Sequence, residues 1–207
     1  RDDWNCQLWR PALYTQGAYI GNPVLKQKVI DSIEACIDCG MYVLVDWHVL
    51  ADKDPLLYAD YAAEFFDEIS KKYGDRPNII YEICNEPNGK DVTWKEHIKP
   101  YAERIIEVIR KNDPDNIIVI GTPNWSGDVL SAANDPVLNQ KNVMYTIHFY
   151  AGSHKSERRK QVKSALKKGI PVFATEWGCT KESGDGGVFE KETLEWIEFM
   201  KKNNISW

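Results

Sequence analysis

The chain has 207 residues, 43% apolar and 12% aromatic, enough to bury a sizeable core and to exclude intrinsic disorder. Its net charge is −5 with both signs interspersed, so no basic stripe exists to neutralise phosphates or to lie on anionic lipid, and neither nucleic acid nor membrane is expected as a partner. The longest apolar runs, such as Ile117 to Ile120, fall far short of the roughly 20 residues that a membrane-spanning helix needs. In chain order, a strand is predicted over residues 8–14, then a helix over 24–39, where Val29, Ile30, Ile33 and Ile37 recur on one face and Gly40 supplies a stop. A strand at 42–46 and a helix at 58–73 follow. Next come a strand at 79–83 and a helix at 94–111, with Ile98, Ala102, Ile105, Ile106 and Ile109 on one face. The series continues with a strand at 117–121, a short helix near 128–133, a strand at 143–148, a helix at 157–168, a strand at 172–176 and a helix at 188–202. A last strand is entered at Ile205.

This alternation is a βα series, and the continuously apolar run at 117–120 fits a parallel strand buried on both faces. The expected fold is α/β, a (β/α)8 barrel with about seven strands, incomplete because a full barrel takes about 250 residues. The count runs from a second strand to the inside of an eighth, without the first βα unit or the last helix. A doubly wound sheet is the alternative, but no Gly-rich phosphate turn follows an early strand. No linker or compositional break divides the chain, so one catalytic domain spanning 1–207 is expected, acting as a monomer. Arg1-Asp2-Asp3 opens without the apolar segment of a signal peptide. Cys6, Cys36, Cys39, Cys84 and Cys179 are odd in number and too sparse for a disulfide scaffold. Cys36 and Cys39 form a lone C-x-x-C in the last turn of a helix with no nearby His, so free buried thiols are preferred to a zinc or redox pair.

Active sites of parallel barrels are built at the C-terminal ends of the strands. Those ends carry Arg10 and Tyr14, Asp46-Trp47-His48, Asn85-Glu86-Pro87, Trp125, His148-Phe149-Tyr150, Thr175-Glu176-Trp177-Gly178 and Trp207. Glu86 and Glu176 close two strands whose ends face each other across a barrel mouth. Glycoside hydrolysis needs two such carboxyls, one protonated to assist the leaving oxygen and one ionised to attack the anomeric carbon. A separation near 5 Å gives retention and roughly 6.5–9.5 Å gives inversion. Trp47, Trp125, Trp177, Trp207, Tyr14 and Tyr150 suit stacking against sugar faces. Arg10, if close to Glu176, would favour the carboxylate there and help separate the two pKa values. Asp46 is expected to brace the site, His97 and His154 to lie on the surface, and Trp94 and Trp196 to pack; Trp4 and Trp9 fit core or rim alike.

Ile83-Cys84-Asn85-Glu86-Pro87 resembles the N-E-P motif of glycoside hydrolase family 5, and Thr175-Glu176-Trp177-Gly178 resembles its nucleophile strand. Val45-Asp46-Trp47-His48, Ile147-His148-Phe149-Tyr150 and Asn204-Ile205-Ser206-Trp207 match in the same order, with wording most similar to bacterial endoglucanases. The resemblance implies a secreted, retaining endo-β-1,4-glucanase acting on β-glucan polymers or oligosaccharides, with no metal and no cofactor. It implies Glu86 as acid/base, Glu176 as nucleophile, and Asn85 on the sugar 2-hydroxyl. Arg10 and Tyr150 would orient Glu176, with His148 near Glu86. His48 and Tyr14 would contact sugar, and Trp125 and Trp207 would be stacking platforms. Pro11, after Arg10, departs from the small or aliphatic residue usual there, and proline cannot donate to a ladder. Mannan, xyloglucan and mixed-linkage glucan are alternative substrates. A noncatalytic carbohydrate binder and a metal-dependent hydrolase using Asp46, His48, His148 and Glu176 are the competing classes.

Overall fold

A computed structural model describes residues 1–207 as one parallel sheet with helices on its outer face. The strands are β1 (Leu8–Trp9), β2 (Ala12–Tyr14), β3 (Tyr42–His48), β4 (Ile79–Glu82), β5 (Ile117–Ile120), β6 (Val143–Tyr150) and β7 (Val172–Gly178). Their order is β1-β3-β4-β5-β6-β7, with β2 also on β3, and every pairing is parallel. Strands that neighbour one another in chain order are those of a barrel, whereas a doubly wound sheet reverses order partway across. At about 4.8 Å per step, a flat sheet would hold β1 and β7 roughly 24 Å apart. Yet Arg10, between β1 and β2, reaches Glu176 on β7 at 3.3 Å. The sheet is therefore curled into an incomplete (β/α)8 barrel, and a bridge from Phe173 to Ser206 extends it beyond β7.

The helices lie close to expectation: Val24–Cys39, Ala59–Tyr73, Lys99–Arg110, Val129–Asn134, Ser156–Lys167 and Glu190–Lys202. Gly40 ends the first in the left-handed conformation (φ 66°), where its lack of a Cβ removes the steric penalty. Three details differ. The strand expected over 8–14 is two strands in one register, Leu8 opposite Tyr42 and Ala12 opposite Asp46, interrupted at Arg10-Pro11 because proline has no N–H for the ladder. The helix expected from 94 opens with a π turn, Trp94–Ile98. Cys6 and Cys39 are exposed, so only Cys36 and Cys84 are buried thiols; Cys39 lies at the open end of its helix and Cys6 precedes the first strand.

Side-chain alternation along the strands divides the core in two. Leu44, Ile80, Val119 and Phe173 point inward and fill the barrel. Val43, Val45, Trp47, Tyr81 and Phe149 point outward into the helix layer, where Phe65, Phe66, Ile105 and Trp196 meet them.

Candidate active site

The inner-face parity that places Leu44 also aims Asp46 and His48 at the barrel axis, and likewise Glu82 after Ile80, and His148 and Tyr150 after Thr146. Where β6 pairs with β7 the register slips, Thr146 facing Phe173 but His148 facing Glu176, and this bulge on β7 turns consecutive residues Thr175 and Glu176 toward the same interior. These side chains form one connected polar floor. The Arg10 guanidinium donates to Glu82 Oε2 (2.6 Å), Asn85 Oδ1 (2.7 Å) and Glu176 Oε2 (3.3 Å), and lies 3.1 Å from Asp46 Oδ2. Burial alone would lower its pKa, but the surrounding carboxylates hold it above the ordinary value.

Above the floor, carboxylate oxygens of Glu86 and Glu176 and a ring nitrogen of His148 all lie within 4.8 Å of one another. Glu176 Oε1 accepts from the Tyr150 hydroxyl at 2.5 Å. Burial would raise the Glu176 pKa, yet His148, Tyr150 and Arg10 together hold it below the usual carboxylate value. Glu86 Oε1 is 2.8 Å from His148 Nδ1. On the other side of that ring, Nε2 is 2.9 Å from Thr175 Oγ1, which donates in turn to Glu82 Oε1 at 2.5 Å. Burial would also raise the Glu82 pKa; Arg10 and His148 more than offset it and bring it to about 2. Because an ionised carboxylate only accepts, the Thr175 hydroxyl must donate to Glu82, so His148 Nε2 carries a proton and Nδ1 is left to exchange one with Glu86. Burial works against charge on His148, but the carboxylates of Glu82 and Glu86 raise its pKa to about 9.

A cavity of about 570 Å³ opens over this pair, lined by Tyr14, His48, Leu50, Glu86, Asn124, Trp125, His148, Tyr150, His154, Arg158, Glu176 and Glu182. That volume lies within the ~300–1,000 Å³ usual for small-molecule sites. Tyr14 packs against His48, ring centroids 4.0 Å apart. His48 donates from Nδ1 to Asp46 at 2.6 Å and accepts at Nε2 from Asn85. Trp125 reaches the cavity from an unusual turn: Asn124, Trp125 and Ser126 are three successive non-glycine residues at φ 59°, 56° and 51°. Each such residue costs roughly 1–2 kcal/mol. Backbone bonds from Trp125 N to Pro87 O and from Ser126 N to Thr122 O help hold them there.

Several expected residues lie elsewhere. Trp47 is wholly buried, because its parity is opposite to that of Asp46 and His48 and aims it at Phe65 and Phe66. Trp177 stacks on Phe149, which stacks on Trp196, so it belongs to the helix layer. Asn85 is also fully buried, its amide held by Val49 O and His48 and its oxygen by Arg10, beneath the cavity rather than on its wall. Arg10 shares that floor. Trp207 is half exposed, next to the residue that bridges to β7, and outside the cavity lining. His154, expected on the surface, lines the cavity and accepts from Tyr150 N. Trp4 and Trp9 are exposed and line a separate apolar cavity with Cys36, Cys39 and Met41. Glu82 went unnoticed in the sequence, although a lone acid in an otherwise apolar strand at inner-face parity marks it. Arg158 and Glu182 carry no such mark. Asp46 and His48 bind each other, and Asp46 takes a cation from Arg10, so the metal set Asp46, His48, His148 and Glu176 does not converge.

Comparison with known proteins bears on the same residues. The family model described as cellulase (glycosyl hydrolase family 5) matches residues 1–207. The chain is 54% identical over 208 residues to endoglucanase A of Evansella cellulosilytica and 48% identical over 209 residues to an endoglucanase of Clostridium saccharobutylicum; all of this chain is covered, but only 42% and 46% of theirs. It spans less than half the length of these curated relatives. Among solved structures, the cellulase Cel5C_n superposes with a TM-score of 0.95 at 45% identity, covering 99% of this chain and 66% of that one. The catalytic domain of Thermobifida fusca endoglucanase Cel5A gives 0.92 at 37% identity, covering 99% and 68%. With the whole sequence matched and the fold shared, the chain belongs to glycosyl hydrolase family 5, the cellulase family.

Proposed function

We propose that this protein is an endo-β-1,4-glucanase that cleaves internal bonds of cellulose or soluble β-glucans with retention of anomeric configuration. The observation that carries the reading is the approach of Glu86 and Glu176 carboxylate oxygens to within 4.8 Å. That bound on one oxygen of each fits the ~5 Å spacing of a direct nucleophilic displacement better than the ~6.5–9.5 Å of an inverting pair. Glu176 is the nucleophile, kept ionised by Tyr150, Arg10 and the charge on His148. Glu86 is the acid/base, held by His148 Nδ1, and its carboxyl proton goes to the leaving oxygen as Glu176 bonds to the anomeric carbon and the glycosidic C–O bond breaks. Water then attacks the glycosyl-enzyme, with Glu86 taking its proton. The half-exposed rings of Trp125 and Tyr14 supply flat apolar faces for glucose units, with His154, Arg158 and Glu182 as polar wall. Support for a cellulosic substrate comes from relatives described as endoglucanases and from a Thermobifida fusca Cel5A variant solved with cellotetraose. A polymer substrate also favours action outside the cell.

The test is NMR of the anomeric proton during hydrolysis of cello-oligosaccharides. The first product is expected in the β form, and an α first product would overturn the mechanism. Glu176→Ala is expected to abolish cleavage. Glu86→Ala should lose about 10²- to 10⁴-fold on glucan while sparing substrates with activated leaving groups.

A further inference from the structure

We propose that Ser126 is a positioning residue for Glu86, acting through the main chain on either side of it. Ser126 is fully buried, and its hydroxyl donates to Asn85 O at 2.5 Å while accepting from Thr122 N. Its neighbour Trp125 donates its backbone N–H to Pro87 O at 3.1 Å. Two adjacent residues of one left-handed turn thus hold the carbonyls of Asn85 and Pro87, the residues on either side of Glu86, whose own carbonyl accepts from Asn88 Nδ2. The opposite flank of the same segment is held from β3 and its extension, by Asn85 N to Trp47 O and Glu86 N to Val49 O. Glu86 therefore hangs from a backbone fixed on both sides, and Ser126 provides the one side-chain donor among the four bonds to the turn and to β3 with its extension.

The choice of residue supports the assignment. Glycine adopts positive φ with no steric penalty, and a glycine stands next door at position 127, where φ is −100°. The chain instead keeps a serine at φ 51°, a conformation it resists, in the place where a hydroxyl can reach Asn85 O across 41 residues of sequence. The same turn presents Trp125 to the cavity, so the platform on which a sugar stacks and the backbone that carries the proton donor are one rigid unit.

This inference rests on the reading of Glu86 as acid/base, and leaving-group dependence tests it. The full chain, Ser126→Ala and Ser126→Gly are compared by kcat/KM on cellotetraose, whose leaving group needs protonation, and on 2,4-dinitrophenyl β-cellobioside, whose leaving group does not. Both variants are expected to lose about tenfold to a hundredfold on cellotetraose and to stay within about twofold on the aryl glycoside. Ser126→Gly is further expected to unfold at a higher temperature than Ser126→Ala, since glycine relaxes the turn, while remaining as poor on cellotetraose. Equal losses on both substrates would mean a purely structural serine and overturn the proposal, as would wild-type behaviour on both. If the unaltered chain cleaves neither substrate, the glucanase reading itself falls; if it cleaves both and the variants match it, only the role of Ser126 falls.

Discussion

Glu176 receives a phenol on one oxygen and a guanidinium on the other, and each donor favours its ionised form. Removing the phenol in Tyr150→Phe withdraws a hydrogen bond to a charged group, worth about 2 kcal/mol. Protonation of Glu176 becomes easier, so the acid limb of kcat/KM is expected to move to higher pH by more than about one unit. A pH profile on a soluble glucan checks this, and an unmoved limb would remove Tyr150 from the account. At this scale the sequence was legible where a polar residue stands at or just beyond the C-terminal part of a strand, as at Glu86, Glu176 and His148. Trp47 was misread because identity alone does not tell a rim tryptophan from a core one; the alternation that puts Asp46 and His48 inside the barrel necessarily puts the residue between them outside. Asn85 and Arg10 were recognised as members of the site, but whether a polar side chain faces a cavity or lies under it depends on neighbours that only folding brings together.

Among the elements, the loop after β4 is pressed between two partners. On the β5 side, Gly121 packs so closely that a Cβ there would stand 2.1 Å from Cys84 O and 3.1 Å from Asn85 O. Neither atom can rotate away, because both belong to the main chain. Gly121→Ala is expected to displace the segment leading into Glu86, costing about 1–3 kcal/mol of stability and a disproportionate share of activity. Denaturant melts beside kinetics would show it; unchanged values for both would mean the strands slide apart freely. Strands and helices were legible here from apolar periodicity, and even the fault at Arg10-Pro11 was foreshadowed by proline's missing donor. The turn at Asn124-Trp125-Ser126 was not, since only Asn124 tolerates a left-handed backbone readily, and the bonds that hold Trp125 and Ser126 there run to Asn85 and Pro87, far away in sequence.

For the molecule as a whole, the buried charges set a pH window. Glu82, lowered from 4.5 to about 2, contributes stability that is fully present above its ordinary value and is lost as pH falls toward 2. His148, raised from 6.5 to about 9, contributes stability that is fully present below 6.5 and is lost as pH rises toward 9. Their joint contribution is therefore greatest between pH 4.5 and 6.5. The melting temperature is expected to peak there, with Glu82→Gln flattening the acid side and His148→Asn the alkaline side; a profile flat from 6.5 to 9 in the unaltered chain would refute the His148 term. The barrel class was legible from the run of strands and helices, whereas its curvature was not, because it is visible only in which strand edges meet.

Arg10 is where they meet. Standing at the first edge of the curled sheet and gripping Glu176 on β7, it makes the candidate site a buckle between the sheet's two edges. Anything that lodges between the two glutamates adds a second fastening, from the loop after β4 across to β7. A tight inhibitor ought therefore to brace the entire fold, including helices far from the cleft, and slow hydrogen exchange would appear around the whole arc rather than at the mouth alone.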